Sequence, residues 1–249
     1  MRFNRGWKGL ALLAGLSLAV ACSDTGAPSA EEEAQVTQDV MAYAADVTSD
    51  DVIMMTLLAD GVLGSAPSAA PPFDGTISYS RSVTFYGEGD AVQDAYDPLL
   101  TAKVNMVVTF EGSRSWTGDR GTMSVTVARH RDMTVSNLLG EETERIWDGD
   151  GNSDVNRVHQ SDQFGERVYD FTATTAVAAV VIPVPRGSGW PVSGTITRQV
   201  TVEVVSGLGD TVTRMRTVMV EFNGTHLVPI TINDLSCTLD LALRSVSCG

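Results

Sequence analysis

Beyond residue 72 the chain alternates apolar and polar side chains with period two. Before that point, apolar residues recur only at helical spacing. The alternation is clearest in 195–205, where Ile196, Val200, Val202 and Val204 share one face and Thr195, Thr197, Gln199, Thr201 and Glu203 the other. Successive side chains of a strand point to opposite faces, so this is a strand with one face buried. The segment 211–222 repeats the pattern through Val218, Val220 and Phe222, and Cys237, Leu239, Leu241 and Leu243 alternate again. Asn223-Gly224 has the composition of a two-residue type I′ turn, which would make Glu221 and His226 cross-strand neighbours. Pro229 interrupts 227–232 and predicts an edge or a bend. Further strands are predicted at 76–86, 102–110, 121–131, 143–147, 155–159 and 167–174, about ten in all. Of the 31 Val, 25 lie beyond residue 72, and β-branched enrichment of this kind favours strands.

The helical signal is confined to 30–64. Val36, Val40, Tyr43 and Val47 are spaced 4, 3 and 4 apart, which places them on one helix face. Ser29 and Glu32 form a capping box, and Glu31 to Glu33 suit the positive end of the helix dipole. Thr48-Ser49-Asp50-Asp51 reads as a break and a second cap, followed by a short apolar helix over 52–58. The apolar face is predicted to pack on the rest of the fold, with a partner-binding face as the alternative. Residues 65–72 (Ser-Ala-Pro-Ser-Ala-Ala-Pro-Pro) have the composition of a linker.

The chain has 249 residues, 43% of them hydrophobic, and a mean hydropathy of +0.04, enough to bury a core. Its formal charge is −14. Without residues 1–21, which hold three basic and no acidic side chains, 14 basic face 31 acidic ones, a balance of −17. That excludes nucleic acid as a natural partner, because phosphate backbones are bound by clustered Lys and Arg. It also means that anionic lipid repels the chain.

Arg2, Arg5 and Lys8 precede an apolar run of 13 residues, 9–21, too short to span a bilayer. The run ends in Ala19-Val20-Ala21-Cys22. This segment resembles the signal and lipobox of bacterial lipoprotein precursors, with Ala where Leu is commonest at the first position. The resemblance covers residues 1–24. It implies cleavage after residue 21, a lipid anchor with its palmitate on Cys22, and a tether over 22–29. Ser23 rather than Asp after the Cys implies an outer-membrane, periplasm-facing location. Cys237 and Cys248 then remain as an even pair eleven positions apart, predicted to close as a disulfide bond in an oxidising compartment.

Candidate chemistry is sparse. Asp148, Asp150, Asn152 and Asp154 alternate with Gly149, Gly151 and Ser153, like the first half of an EF-hand loop. Ser153 stands where Gly is expected and His159 where Glu is expected, so the preferred reading is a hairpin turn between strands ending near Trp147 and starting near Val155. His130, His159 and His226 fall in different predicted strands. No nucleophile elbow, P-loop or dinucleotide fingerprint is present, and Lys103 is the sole Lys after residue 22. Trp116, Trp147 and Trp190 sit near glycines and turns, where aromatics cap sheets or contact partners. The apolar stretch 173–184 is predicted as a buried strand, with an apolar lip beside a ligand cavity as the alternative.

The expected fold is mainly β: an antiparallel meander over 73–249, either a sandwich or a curved half-barrel, with the helical segment before it. The expected function is a non-catalytic envelope lipoprotein, structural or partner-binding, with no cofactor, no metal and no nucleic acid. The alternative is a carrier of an apolar ligand in a helix-capped cavity, as in the half-barrel fold of periplasmic lipoprotein carriers. A hydrolytic enzyme without a recognisable motif is the minor alternative.

Overall fold

The structure, a computed structural model, describes residues 30–60, 75–118, 121–161, 165–184, 189–205 and 211–248. The expected signal, Cys22, the tether and the linker lie outside these residues. One helix, α1 (Ala30–Asp60), precedes eleven strands. They are β1 (Thr76–Gly87), β2 (Val92–Gln93), β3 (Thr101–Gly118), β4 (Gly121–Ser136), β5 (Glu144–Ser161), β6 (Gly165–Pro183), β7 (Ser193–Val205), β8 (Thr211–Glu221), β9 (Leu227–Ile232), β10 (Leu235–Asp240) and β11 (Ser245–Cys248). All belong to one open antiparallel sheet in the order β11-β10-β9-β8-β7-β6-β5-β4-β3-β1-β2. The mainly-β meander is therefore as predicted, and among the described residues there is no second sheet to make a sandwich.

Alternation decides which face is covered. Val104 and Met106 on β3, Met133 and Val135 on β4, Phe171 on β6, Ile196 and Val200 on β7, and Val218 and Val220 on β8 are buried on one side. They form a single cluster with Val36, Val40, Tyr43, Val47, Val52 and Met55 of α1. The apolar helix face thus packs on the sheet, and its burial drives the two together. Tyr43 stacks on Phe171 with ring centroids 5.0 Å apart, and its hydroxyl shares a 2.6 Å hydrogen bond with the Ser153 hydroxyl.

Four local expectations are corrected. First, α1 does not break at 48–51. Thr48, Ser49 and Asp51 are buried within it, and the Ser49 hydroxyl donates to the Leu241 carbonyl at 3.3 Å. Tertiary partners hold these cap-forming residues inside the helix. Second, the strands predicted at 143–147 and 155–159 are one strand, β5, paired without interruption to β4 from Thr122↔Gln160 to Ser136↔Ile146. Third, Asn223-Gly224 makes no two-residue turn. The ladder of β8 and β9 runs only from Val218↔Ile232 to Val220↔Ile230, leaving a longer connection in which the Asn223 carboxamide accepts from the Thr225 N–H and donates to the Leu227 carbonyl. Fourth, β9 as a whole is not an edge strand, since β8 and β10 flank it, but it is open locally. Its ladder with β8 stops at Ile230, so 227–229, with the Pro229 that has no N–H to donate, has no partner on that side.

The apolar stretch 173–184 is mostly strand β6, not a cavity lip. Its run of apolar residues is two alternating patterns offset by a bulge. Ala173 and Val177 point to the core before the bulge, Val180 and Ile182 after it. Ala179 takes φ 47°, and the register against β7 shifts between Ala178 and Val181. Opposite it, a Cβ on Gly194 would lie 2.3 Å from the Ala179 carbonyl oxygen, so only glycine fits there.

Cys237 and Cys248 are directly opposed on β10 and β11, with Cα atoms 4.3 Å apart, and form a disulfide. Met41 of α1 lies against this clasp, its sulfur 3.8 Å from that of Cys248.

Candidate functional site

α1 contributes eight carboxylates and no Lys or Arg. The sheet face it covers is studded with arginines at alternating positions of β4, β5, β7 and β8. The two sets meet in ion pairs along the helix. Glu33 pairs with Arg214 (2.7 Å) and Arg216, Asp46 with Arg157 (3.8 Å), and Asp50 with Arg129 (2.6 Å) and Arg244 (2.8 Å). Asp51 pairs with Arg131 and Arg198. Seven guanidiniums thus face four carboxylates.

Asp51 is the deepest of these. Arg131 donates through Nε (3.1 Å) and Nη2 (3.2 Å), and Arg198 through Nη2 (2.6 Å). Arg198, fully buried, also donates to the Thr48 hydroxyl at 2.8 Å, and Arg131 to the His130 and Asn152 carbonyls. Burial opposes the ionisation of Asp51, but the two guanidiniums overcome it and hold its carboxyl below the ordinary range. Burial likewise draws Arg198 down, against the pull of Asp51. Gly151 makes this arrangement possible: a Cβ there would sit 2.8 Å from the Arg131 Cδ and 2.2 Å from the His130 carbonyl oxygen.

Beside this cluster, Tyr43, Asp46 and Asp50 of α1 and Arg114, Arg129, Arg157 and Arg244 line a cavity of about 70 Å³. Val125, Val127 and Val155 form its floor. Arg129 and Arg157 each present a buried Nε–H with no acceptor in the protein. Burial against the Arg129 charge is outweighed by Asp50, which raises Arg129 above the usual guanidinium range. Burial raises the Asp46 carboxyl, opposed by Arg157.

The sites expected from sequence are dispersed. Asp148, Asp150, Asn152 and Asp154 are exposed at alternate positions of β5. On an extended strand, same-face residues are roughly 7 Å apart, so their oxygens do not converge on one cation. Asp148 instead caps the bulge in β6, where its carboxylate accepts the Ala179 N–H at 2.8 Å. Among the described residues no group of three His, Cys, Asp or Glu is placed to hold a metal ion. His226 pairs with Asp240 (3.1 Å), not Glu221, and Lys103 with Asp90 (2.6 Å). Trp147 is buried in the core, and Trp190 packs against His226 with centroids 6.2 Å apart; the Trp116 side chain lies outside the described residues.

The arginines escaped sequence reading, though period two contained the signal. Arg198 lies between Ile196 and Val200 on the apolar face of β7, and Arg131 between Val127 and Val135 on that of β4. A cation in phase with an apolar face requires a buried partner, and α1 carries the acids.

A second surface lies at the sheet end that holds the β1–β3, β4–β5, β6–β7, β8–β9 and β10–β11 connections. Nine large apolar side chains are exposed among the described residues. Seven lie at this end: Val92, Leu99, Leu100, Leu139, Val192, Leu227 and Leu243. Acids accompany those of the β1–β3 and β4–β5 connections, namely Glu88, Asp94, Asp97 and Glu141, while the nearby Arg145 is held by Glu142 at 2.6 Å.

No family model matches the chain, and neither a curated protein nor a solved structure does.

Proposed function

We propose that the chain is a lipid-anchored envelope protein that acts without catalysis, as a preformed β scaffold presenting the apolar end of its sheet to a protein partner. The anchoring half of the reading rests on the lipobox-like Ala19-Val20-Ala21-Cys22. The binding half rests on one observation: seven of nine exposed large apolar side chains lie at one end of the sheet. Exposed apolar groups repeated along one end of a sheet favour an interface over the same groups scattered across the whole surface. The acids among them select a protein over an anionic bilayer, which repels them. The apolar-carrier alternative finds less support, because Val40, Tyr43, Val47, Val52 and Met55 fill the space between helix and sheet.

The test combines anchoring and contact. A photocross-linking residue at Leu99, with one at Thr172 on the uncovered sheet face as control, is introduced into the full chain in intact envelopes. The expected result is one adduct of defined mass at Leu99 only, lost in Leu100→Asp. Membrane fractions should retain the protein through high salt, and Cys22→Ser should release it. Equal adducts at both positions would sink the binding reading. Unmodified Cys22 at the start of a soluble wild-type protein would sink the anchoring one.

A further inference from the structure

The arginine-lined cavity gathers more positive charge than its own acids neutralise. Four guanidiniums (Arg114, Arg129, Arg157 and Arg244) face two carboxylates, Asp46 and Asp50, around about 70 Å³ of space. Arginine remains protonated at all working pH values, so among the described lining residues cations outnumber acids, inside a chain whose formal charge is −14. That excess is not an average property of the surface; it lies in the seam where α1 meets strands β3, β4 and β5 and the β10–β11 connection. Two of the four arginines are also incompletely used. The Arg157 contact with Asp46 spans 3.8 Å, beyond hydrogen-bond reach, and the Nε–H groups of Arg129 and Arg157 are buried without acceptors. A buried donor without an acceptor is costly, and both of these donors belong to side chains that line the cavity.

We propose that this cavity binds a phosphate-type oxyanion. A guanidinium presents its donors as a planar fork that matches phosphate oxygens, and such charge-assisted pairs are the strong ones. A phosphate monoester carries about two negative charges at neutral pH and three strong acceptor oxygens, so it can engage several of these guanidiniums at once where a single carboxylate has two oxygens and one charge. The space is sufficient for several water-sized groups, at about 10–15 Å³ for each. Arg114 is exposed and Arg244 is 35% exposed, so the mouth is open to a ligand from solvent. The anion is either free or the head group of a phosphate-bearing lipid. The site is independent of the apolar sheet end, so its failure leaves the partner-binding reading untouched.

The full chain, purified from envelopes in neutral detergent, is titrated with inorganic phosphate by calorimetry and by thermal shift, with chloride holding ionic strength constant. Saturable binding and a rise in melting temperature are expected. Arg157→Gln and Arg114→Gln should each weaken binding about tenfold or more, the loss of one charge-assisted contact. Asp46→Asn removes an opposing charge and should tighten binding severalfold, a direction that simple damage to the fold does not produce. Arg216→Gln, which lies against Glu33 at another part of the helix, should leave affinity unchanged. Arg114 is exposed, so its variant reads the site even where Arg157→Gln fails to fold. A parallel titration with a soluble short-chain phosphatidate names the source: tighter binding than phosphate assigns a lipid head group, equal or weaker binding a free anion. Absence of saturable binding of both probes, or one affinity across all variants, would overturn the proposal.

Discussion

Asp51→Asn tests whether the buried charges fasten the helix to the sheet. Asp51 accepts three hydrogen bonds from two guanidiniums, and both arginines are nearly inaccessible, at 3% and 0% side-chain exposure. Asparagine keeps the shape and one acceptor oxygen. It turns an NH₂ group toward a cation and leaves two like charges in the core without a counter-ion. Breaking a buried pair from one side costs about 3–5 kcal/mol, a large fraction of the roughly 5–15 kcal/mol that holds a domain together. Urea unfolding should therefore show a lower midpoint with an unchanged slope. The converse follows from the same physics. Replacing all three charges, by Asp51→Leu with Arg131→Met and Arg198→Met, should recover most of the loss, because apolar packing often equals or exceeds a buried ion pair. The pH dependence has a definite sign. The folded carboxyl of Asp51 lies below its ordinary value, so its contribution is complete above about pH 4 and disappears as pH falls through the lower folded value. A loss below about 1 kcal/mol in Asp51→Asn, the scale of an exposed pair, would refute the reasoning. So would a triple variant less stable than the single one.

Reducing the disulfide, or Cys237→Ser, should lower stability by about 2–3 kcal/mol for the short loop it closes, read as a shift in the same urea transition. Millimolar Ca²⁺ should leave the melting temperature within a degree or so of its starting value, since nothing binds to raise it, while Asp148→Ala should cost about 1 kcal/mol by uncapping the Ala179 N–H. A Ca²⁺-dependent rise abolished by Asp150→Ala would contradict the strand placement of these residues.

The strands whose side chains alternate without interruption were legible: β7 and β8 follow from period two alone, whereas the alternation expected from Cys237 to Leu243 holds only to β10's end at Asp240, and Leu243 is exposed in the turn beyond it. Legibility failed wherever a residue's local preference was overruled by a distant partner. Thr48-Ser49-Asp50-Asp51 has the composition of a helix break, yet Arg131 and Arg198 take up its side chains from 80 to 150 residues away. Asp148 to Asp154 has the composition of a turn. Its glycines serve instead as gaps for neighbouring backbone and the Arg131 side chain, and its acids face outward. Bulges are also silent in composition, so the offset at Ala179 made β6 read as continuously apolar. The arginine cavity was the least legible feature. It requires knowing that in-phase arginines on separate strands come together beneath one acidic helix.

That helix is encoded first, but its anchoring residues come late. Sheet neighbours are nearly all sequential, so each strand from β3 onward can pair as soon as its predecessor exists. α1 has no such neighbour: Asp51 needs Arg131 on β4 and Arg198 on β7, and Glu33 needs Arg214 and Arg216 on β8. A chain delivered from its N-terminus therefore presents an acidic, half-apolar helix that meets its first cations only with β4 and β5, and whose set of partners for Asp51 is complete only when about four-fifths of the length has emerged. During that interval the arginine-bearing sheet face is uncovered as well. Full docking of the helix therefore waits for the late strands: a chain stopped before β7 has the opening strands of the meander and the Arg131 half of the Asp51 pairing, but lacks Arg198, Arg214 and Arg216 to complete it.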